Sequence, residues 1–167
     1  VALITFVQLS YLSSFMPAAY TGLVIAGGAL IAVLVFPFMP KLVARYDAQR
    51  LSLVFATLEV IALIAIAASP GPLAAVFLIA VTIALQPLIA YELDILLETI
   101  TAEEGITGRV RALFLTAWNL AALVAVLLIG VLLASSDAYS RVFLVAAAAL
   151  VPFIVLFATR RFPRGSP

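Results

Sequence analysis

"TGLVIAGGALIAVLVFPFMPKLVARYDAQR", residues 21–50, joins nineteen consecutive uncharged residues to an eleven-residue segment holding Lys41, Arg45 and Arg50. A helix rises about 1.5 Å per residue, so nineteen residues nearly match the roughly 30 Å hydrocarbon thickness of a bilayer. The first part therefore reads as a membrane span from Thr21 to Met39, closed by Pro37, Pro40 and the basic residues after them. The second part reads as a short loop at the membrane surface.

The rest of the chain repeats this pattern. Of its 167 residues, 66% are hydrophobic and 10% charged, more apolar surface than a soluble core of this size uses. Predominantly apolar runs predict spans at about 1–16, 21–39, 50–68, 73–98, 110–134 and 139–159, separated by turns such as "SPGP" at residues 69–72. The runs are rich in Ala and Leu and do not alternate with polar residues, which excludes barrel strands. The expected fold class is an all-α membrane protein with six transmembrane helices in a single bundle, consecutive helices antiparallel. Val1 already lies within an apolar run, so the chain is expected to be a fragment of a longer one.

Charge distribution supports six spans. That count puts Lys41, Arg45, Arg50, Arg109, Arg111, Arg160, Arg161 and Arg164 on one side and Arg141 on the other. The positive-inside rule then makes the even loops and both termini cytoplasmic, in a multi-pass protein of the cytoplasmic (inner) membrane. The chain has neither Cys nor His. Thiol nucleophiles, imidazole bases and the usual zinc ligands are therefore lacking, and no enzyme activity, metal or cofactor is expected.

Glu59 sits near the centre of the third span, between "FATL" and "VIALIAIA". An acid at that depth reads either as a proton or ion coupling group or as a neutral acid bonded to a neighbouring helix. Gln86 precedes Pro87 well inside the fourth span, where proline leaves the Ile83 carbonyl without its helical donor. Gln8, Ser10, Tyr11, Ser13 and Ser14 gather on the first span. Together these side chains read as a polar pathway or as interhelical hydrogen bonds. Small residues at i, i+4 spacing predict close helix contacts, with Ala117, Ala121 and Ala125 on the fifth span and Gly22/Ala26 and Gly28/Ala32 on the second.

Five of the eight acidic residues lie within residues 91–111. Asp94 and Glu98 share a helical face, with Tyr91 one turn earlier. They lack the partners of a metal or catalytic site and are expected to pair with Arg45, Arg50, Arg109 and Arg111, with Asp47 nearby, as a cytoplasmic gating network. Glu103 and Glu104 are expected only to solvate their loop.

The arrangement resembles one half, most similar to the amino-terminal half, of a major facilitator superfamily transporter. The segment "PKLVARYDAQR" is similar to that family's loop signature G-x-L-A-D-R-x-G-R-R. Leu42 and Arg45 match it, whereas Pro40, Ala44, Asp47, Ala48 and Gln49 depart from it. Leu93, Asp94, Leu97 and Glu98, with Thr107, Gly108, Arg111 and Asn119, resemble a pattern of uncharacterised bacterial members. The resemblance implies half of a major-facilitator fold, two inverted three-helix repeats, rocking around a site near the midplane. It favours the first and fourth helices, and hence Gln8, Tyr11, Ser14, Gln86 and Tyr91, as substrate pathway, and it places Glu59 on a peripheral helix.

The implied function is secondary active transport of a small solute by alternating access, this chain supplying half the pathway. The implied partners are the solute, the lipid bilayer and a second six-helix half, from the same gene product or a dimer, with no nucleic acid. A different reading is a non-transporting membrane scaffold or assembly subunit with an acidic cytoplasmic loop. An intramembrane enzyme is disfavoured by the missing Cys and His.

Overall fold

A computed structural model describes residues 2–68, 71–102, 107–132 and 138–160. Of the described residues, 94% are helical and none lies in a strand. The elements are α1 (Ala2–Ser13), α2 (Ala18–Val35), a 3₁₀ turn (Phe36–Phe38), α3 (Met39–Tyr46), α4 (Ala48–Ala67), α5 (Pro72–Ala102), α6 (Thr107–Leu132) and α7 (Ala138–Thr159). Because α2, the turn and α3 run on from one another, they form six rods.

Among the described residues, five stretches are long and apolar enough to cross a membrane: Ala18–Tyr46, Ala48–Ala67, Pro72–Glu98, Gly108–Leu132 and Tyr139–Thr159. The chain is thus a multi-pass membrane protein in its helix lengths and composition. The first expected span, read as a short one at the start of the chain, corresponds to α1, whose 12 residues rise about 18 Å.

The segment after Met39 departs from expectation, since the chain stays helical to Tyr46. Pro37 lies within the 3₁₀ turn and Pro40 in the first turn of α3. A ring at the start of a helix interrupts no internal hydrogen bond, because first-turn N–H groups have no carbonyl to reach. The break comes instead at Asp47, whose φ of 75° and ψ of 138° turn the chain sharply. Its side chain accepts a 3.4 Å hydrogen bond from the Gln49 N–H and caps α4.

Contacts far apart in sequence set which ends lie together. Gln49 donates its side-chain amide to the carbonyls of Phe157 and Arg160, joining the start of α4 to the end of α7. Arg111 pairs with Asp94, joining the start of α6 to the later part of α5. At the other end, the Ser140 hydroxyl donates to the Ala67 carbonyl, and Ser10 shares a 2.8 Å hydrogen bond with Tyr139. Lys41, Arg45, Arg50, Arg109, Arg111 and Arg160 therefore gather at one end of the bundle and Arg141 at the other. Arg161 and Arg164 lie outside the described residues, as do Glu103 and Glu104.

In the packing, α4 lies against α5 and α7, α2 against α5, and α1 against α6 and α7. The α2–α5 contact depends on Gly28, where an added Cβ would come within 2.9 Å of the Ala80 carbonyl and the Ile83 side chain. Gly28 and Ala32 are buried, whereas Gly22 and Ala26 face outward. Of the small stripe on α6, Ala125 is buried and Ala117 and Ala121 are exposed.

Two apolar clusters form the interior. The larger, at the Arg141 end, includes Ile4, Val7, Leu12, Leu63, Ile66, Ile79, Val142 and Phe143. The smaller, at the basic end, is built on Ala48, Leu96 and Phe157. Polar side chains lie between them on α4 and α5.

Candidate functional site

That polar layer begins where α1 meets α5. Gln8, almost fully buried, donates its side-chain amide to the Thr82 hydroxyl at 2.7 Å, and Thr82 donates onward to the Ile79 carbonyl at 2.9 Å. Both groups are satisfied. A buried amide and hydroxyl that close on each other in this way join helices firmly in lipid.

One turn further along α5, Gln86 is half-buried beside Glu59 of α4. Glu59 is fully enclosed, and neither of its carboxyl oxygens has a hydrogen bond of acceptable geometry among the described residues, although the Gln86 amide stands close enough to act on it. The family resemblance implies a peripheral helix for Glu59. In the structure α4 is a central packing element, held by both α5 and α7, and Glu59 lies on its inward face with Ser52, Ala56, Ala62 and Leu63.

Glu92 has no role in the sequence-based expectations. It too is completely enclosed, with both carboxyl oxygens lacking a hydrogen-bond partner among the described residues, and it lies close enough to Asp47 for their charges to interact. The Ser52 hydroxyl is likewise buried without a hydrogen-bond partner. Helical period carries the signal for Glu92: Leu85, Leu88, Ile89, Glu92 and Leu96 form one buried stripe on α5, while Asp94, two residues on, points outward. Reading the acidic stretch as a surface feature hides this difference in direction.

The other expected pathway residues have different surroundings. Tyr11 packs in an aromatic group with Phe15, Tyr139 and Phe143, ring centroids 5.3 to 5.4 Å away. Ser14 is exposed and donates to the Tyr11 carbonyl of its own chain end. Tyr91 meets Phe36 edge-on at 5.7 Å, fastening α5 to the turn after α2. Of the five residues Gln8, Tyr11, Ser14, Gln86 and Tyr91, the structure brings Gln8 and Gln86 to the polar layer and turns the other three to different contacts.

At the basic end, Asp94 and Arg111 form an ion pair at 2.8 Å with both side chains more than half exposed. Glu98, Arg50 and Arg109 are exposed nearby in the fold, and the Arg45 guanidinium lies 5.2 Å from the centre of the adjacent Tyr46 ring. Asn119 donates to the Leu115 carbonyl of its own helix at 2.9 Å. Gln49, at a position where the family signature has a basic residue, supplies donors to the last carbonyls of α7.

No family model, curated protein or solved structure matches the chain.

Proposed function

We propose that this chain forms half of the pathway of a secondary active transporter that moves a small solute across the cytoplasmic membrane by alternating access. The observation that carries the reading is the order of helix packing. Exchanging α1, α2 and α4 for α5, α6 and α7 maps the main pairs onto one another: α2 on α5 corresponds to α6 on α1, α4 on α5 corresponds to α7 on α1, and α4 on α7 corresponds to itself. Two related three-helix units of opposite orientation give this pattern, the repeat plan of major-facilitator halves and of many other transporters.

The position of the polar layer supports the same reading. Glu59 and Gln86 fall near the middle of their spans, and polar groups at that depth are expensive unless they serve a path or a pair. In this arrangement the second half is supplied by the same gene product or by a dimer. The end bearing Lys41, Arg45, Arg50, Arg109 and Arg111 faces the cytoplasm. There Asp94 and Arg111 form part of a network, with Arg45, Asp47, Arg50, Glu98 and Arg109, that closes and opens with the transport cycle.

Uptake of a panel of labelled solutes into proteoliposomes, driven in turn by proton, sodium and solute gradients, tests the reading. Flux of at least one solute that stops when the gradient is dissipated is the expected result. Absence of flux for every solute under every gradient refutes transport and leaves a membrane scaffold or assembly subunit as the function.

A further inference from the structure

Among the described residues two carboxyl groups are fully enclosed: Glu92, which lacks a hydrogen-bond partner, and Glu59, which has the Gln86 amide beside it. Both lie where α4 and α5 face each other. The contact of Gln86 with Glu59 sets the register of these antiparallel helices. Six residues onward on α5 and about as many back on α4 bring Glu92 level with Ser52, about 9 Å nearer the basic end. One turn beyond, Ala48 and Leu96 belong to the same apolar cluster, as this register requires.

Buried carboxylates are expensive without a positive partner. The elements around Glu92 bring none inward. The ionisable side chain close enough to act on it is Asp47, from the turn before α4, while α7, packed on α4, is followed by the exposed Arg160 at this end and carries the exposed Arg141 at the other. On α3, Lys41 and Arg45 are exposed, as is Arg50 on α4. On α6, Arg111 is engaged with Asp94 at the surface and Arg109 is exposed. Helix α2 itself has Tyr20 as its ionisable side chain, at the far end, and α1 has Tyr11 within the aromatic group.

A small cation that accompanies the carboxyl meets this cost. A hard metal ion gathers about six oxygen ligands, more than the two carboxyl oxygens of Glu92 and the Ser52 hydroxyl provide. No group of three acidic side chains comes together among the described residues. A proton needs a single oxygen. We infer that Glu92, at the level of Ser52, and Glu59, beside Gln86, are two proton-binding stations on the α4–α5 interface, with Glu92 the station nearer the basic end. Each takes up one proton by forming an O–H bond on a carboxyl oxygen and releases it to water by breaking that bond. Asp47, half-buried and the only positive-φ residue other than glycine among the described residues, lies close enough to Glu92 for their charges to interact. This inference rests on the transport reading and names its coupling ion.

Infrared difference spectra of the whole chain in lipid vesicles, recorded as pH is stepped, read the protonated-carboxyl C=O band directly and need no solute. The wild type is expected to show two components that vanish on alkalinisation. Glu92→Gln removes one and Glu59→Gln the other. Asp94→Asn leaves both. Should Glu92→Gln not fold, Glu92→Asp retains a shifted component and Ser52→Ala moves its frequency, and both report on the same station. A Glu92→Gln spectrum identical to that of the wild type overturns the inference. So does a band that changes with sodium at constant pH, because the station then takes a metal ion. Both components present in a protein that carries no solute flux refute transport while leaving the proton stations standing.

Discussion

The α4–α5 interface and helix α6 are opposites in composition and in position. α4 is the least apolar of the five spans, yet 44% of its apolar window is buried; the window of α6 is richer in Leu and Val, yet only 11% of it is buried. In water the order is reversed, because burial follows apolarity. In lipid the outer face is already solvated by hydrocarbon, so polar and small side chains collect inside, where close packing and interhelical hydrogen bonds hold them. Glu59, Ser52, Thr82 and Gln8 lie inward, whereas Leu120, Leu123, Leu127 and Val131 face outward.

The largest effect that tests this contrast is a charge on the outer face of α6. Leu120, near the middle of the span, is 59% exposed. Leu120→Lys is expected to cost about 3 kcal/mol of insertion free energy, read as a fall in the membrane-inserted fraction of a glycosylation-tagged chain. Glu59→Leu in the same assay should raise insertion, because removing a mid-span acid relieves a cost of the same kind. Equal effects at the two positions would mean that the inside-outside order is wrong.

Next in size is the close α2–α5 approach. A Cβ at position 28 would stand 2.9 Å from the Ala80 carbonyl, so Gly28→Leu must push the helices apart and should destabilise the bundle by about 2 kcal/mol. Gly22→Leu, on the same helix with open space around it, should change stability by a few tenths of a kcal/mol at most. Thermal unfolding in detergent compares the two.

A smaller effect, of opposite sign, is expected at Asp47. Its positive φ with extended ψ lies in a region that glycine enters freely and other residues occupy at a cost of about 1 kcal/mol or more. The hydrogen bond that Asp47 accepts is long, so its loss offsets little of the gain. Asp47→Gly is therefore expected to stabilise the fold by about 1 kcal/mol and Asp47→Val to destabilise it, measured by the same unfolding assay.

Asp47 also shows where the sequence is uninformative: it is among the residues that depart from the family signature, and its positive φ comes from the structure alone. Helix number and the gathering of basic residues at one end are legible because span length and charge are summed over many residues. The helical continuation to Tyr46 is not legible, since proline reads as a stop and only the observed turn shows that Pro37 and Pro40 fall where no donor is missed. Glu92 stays hidden for another reason. Composition places it at the membrane boundary with Asp94, and only its direction around α5, fixed by packing against α4, separates an enclosed acid from an exposed one.

The smallest effect on stability concerns that exposed neighbour. With Asp94 and Arg111 both more than half exposed, their ion pair should contribute roughly 0.5 kcal/mol in a double-mutant cycle, less at high salt. A latch does not need a large energy. If the inward-facing and outward-facing states are nearly balanced, a contact of that size present in one of them changes their ratio about twofold. Asp94→Arg, which turns attraction to Arg111 into repulsion, should move the balance further without preventing insertion. The chain has no cysteine, so single cysteines placed along α1 and α5 report the balance by their labelling from either side without background. Labelling unchanged by Asp94→Arg would show that the pair merely decorates the surface, and the contrast between the enclosed interface and the exposed end would then carry no conformational coupling.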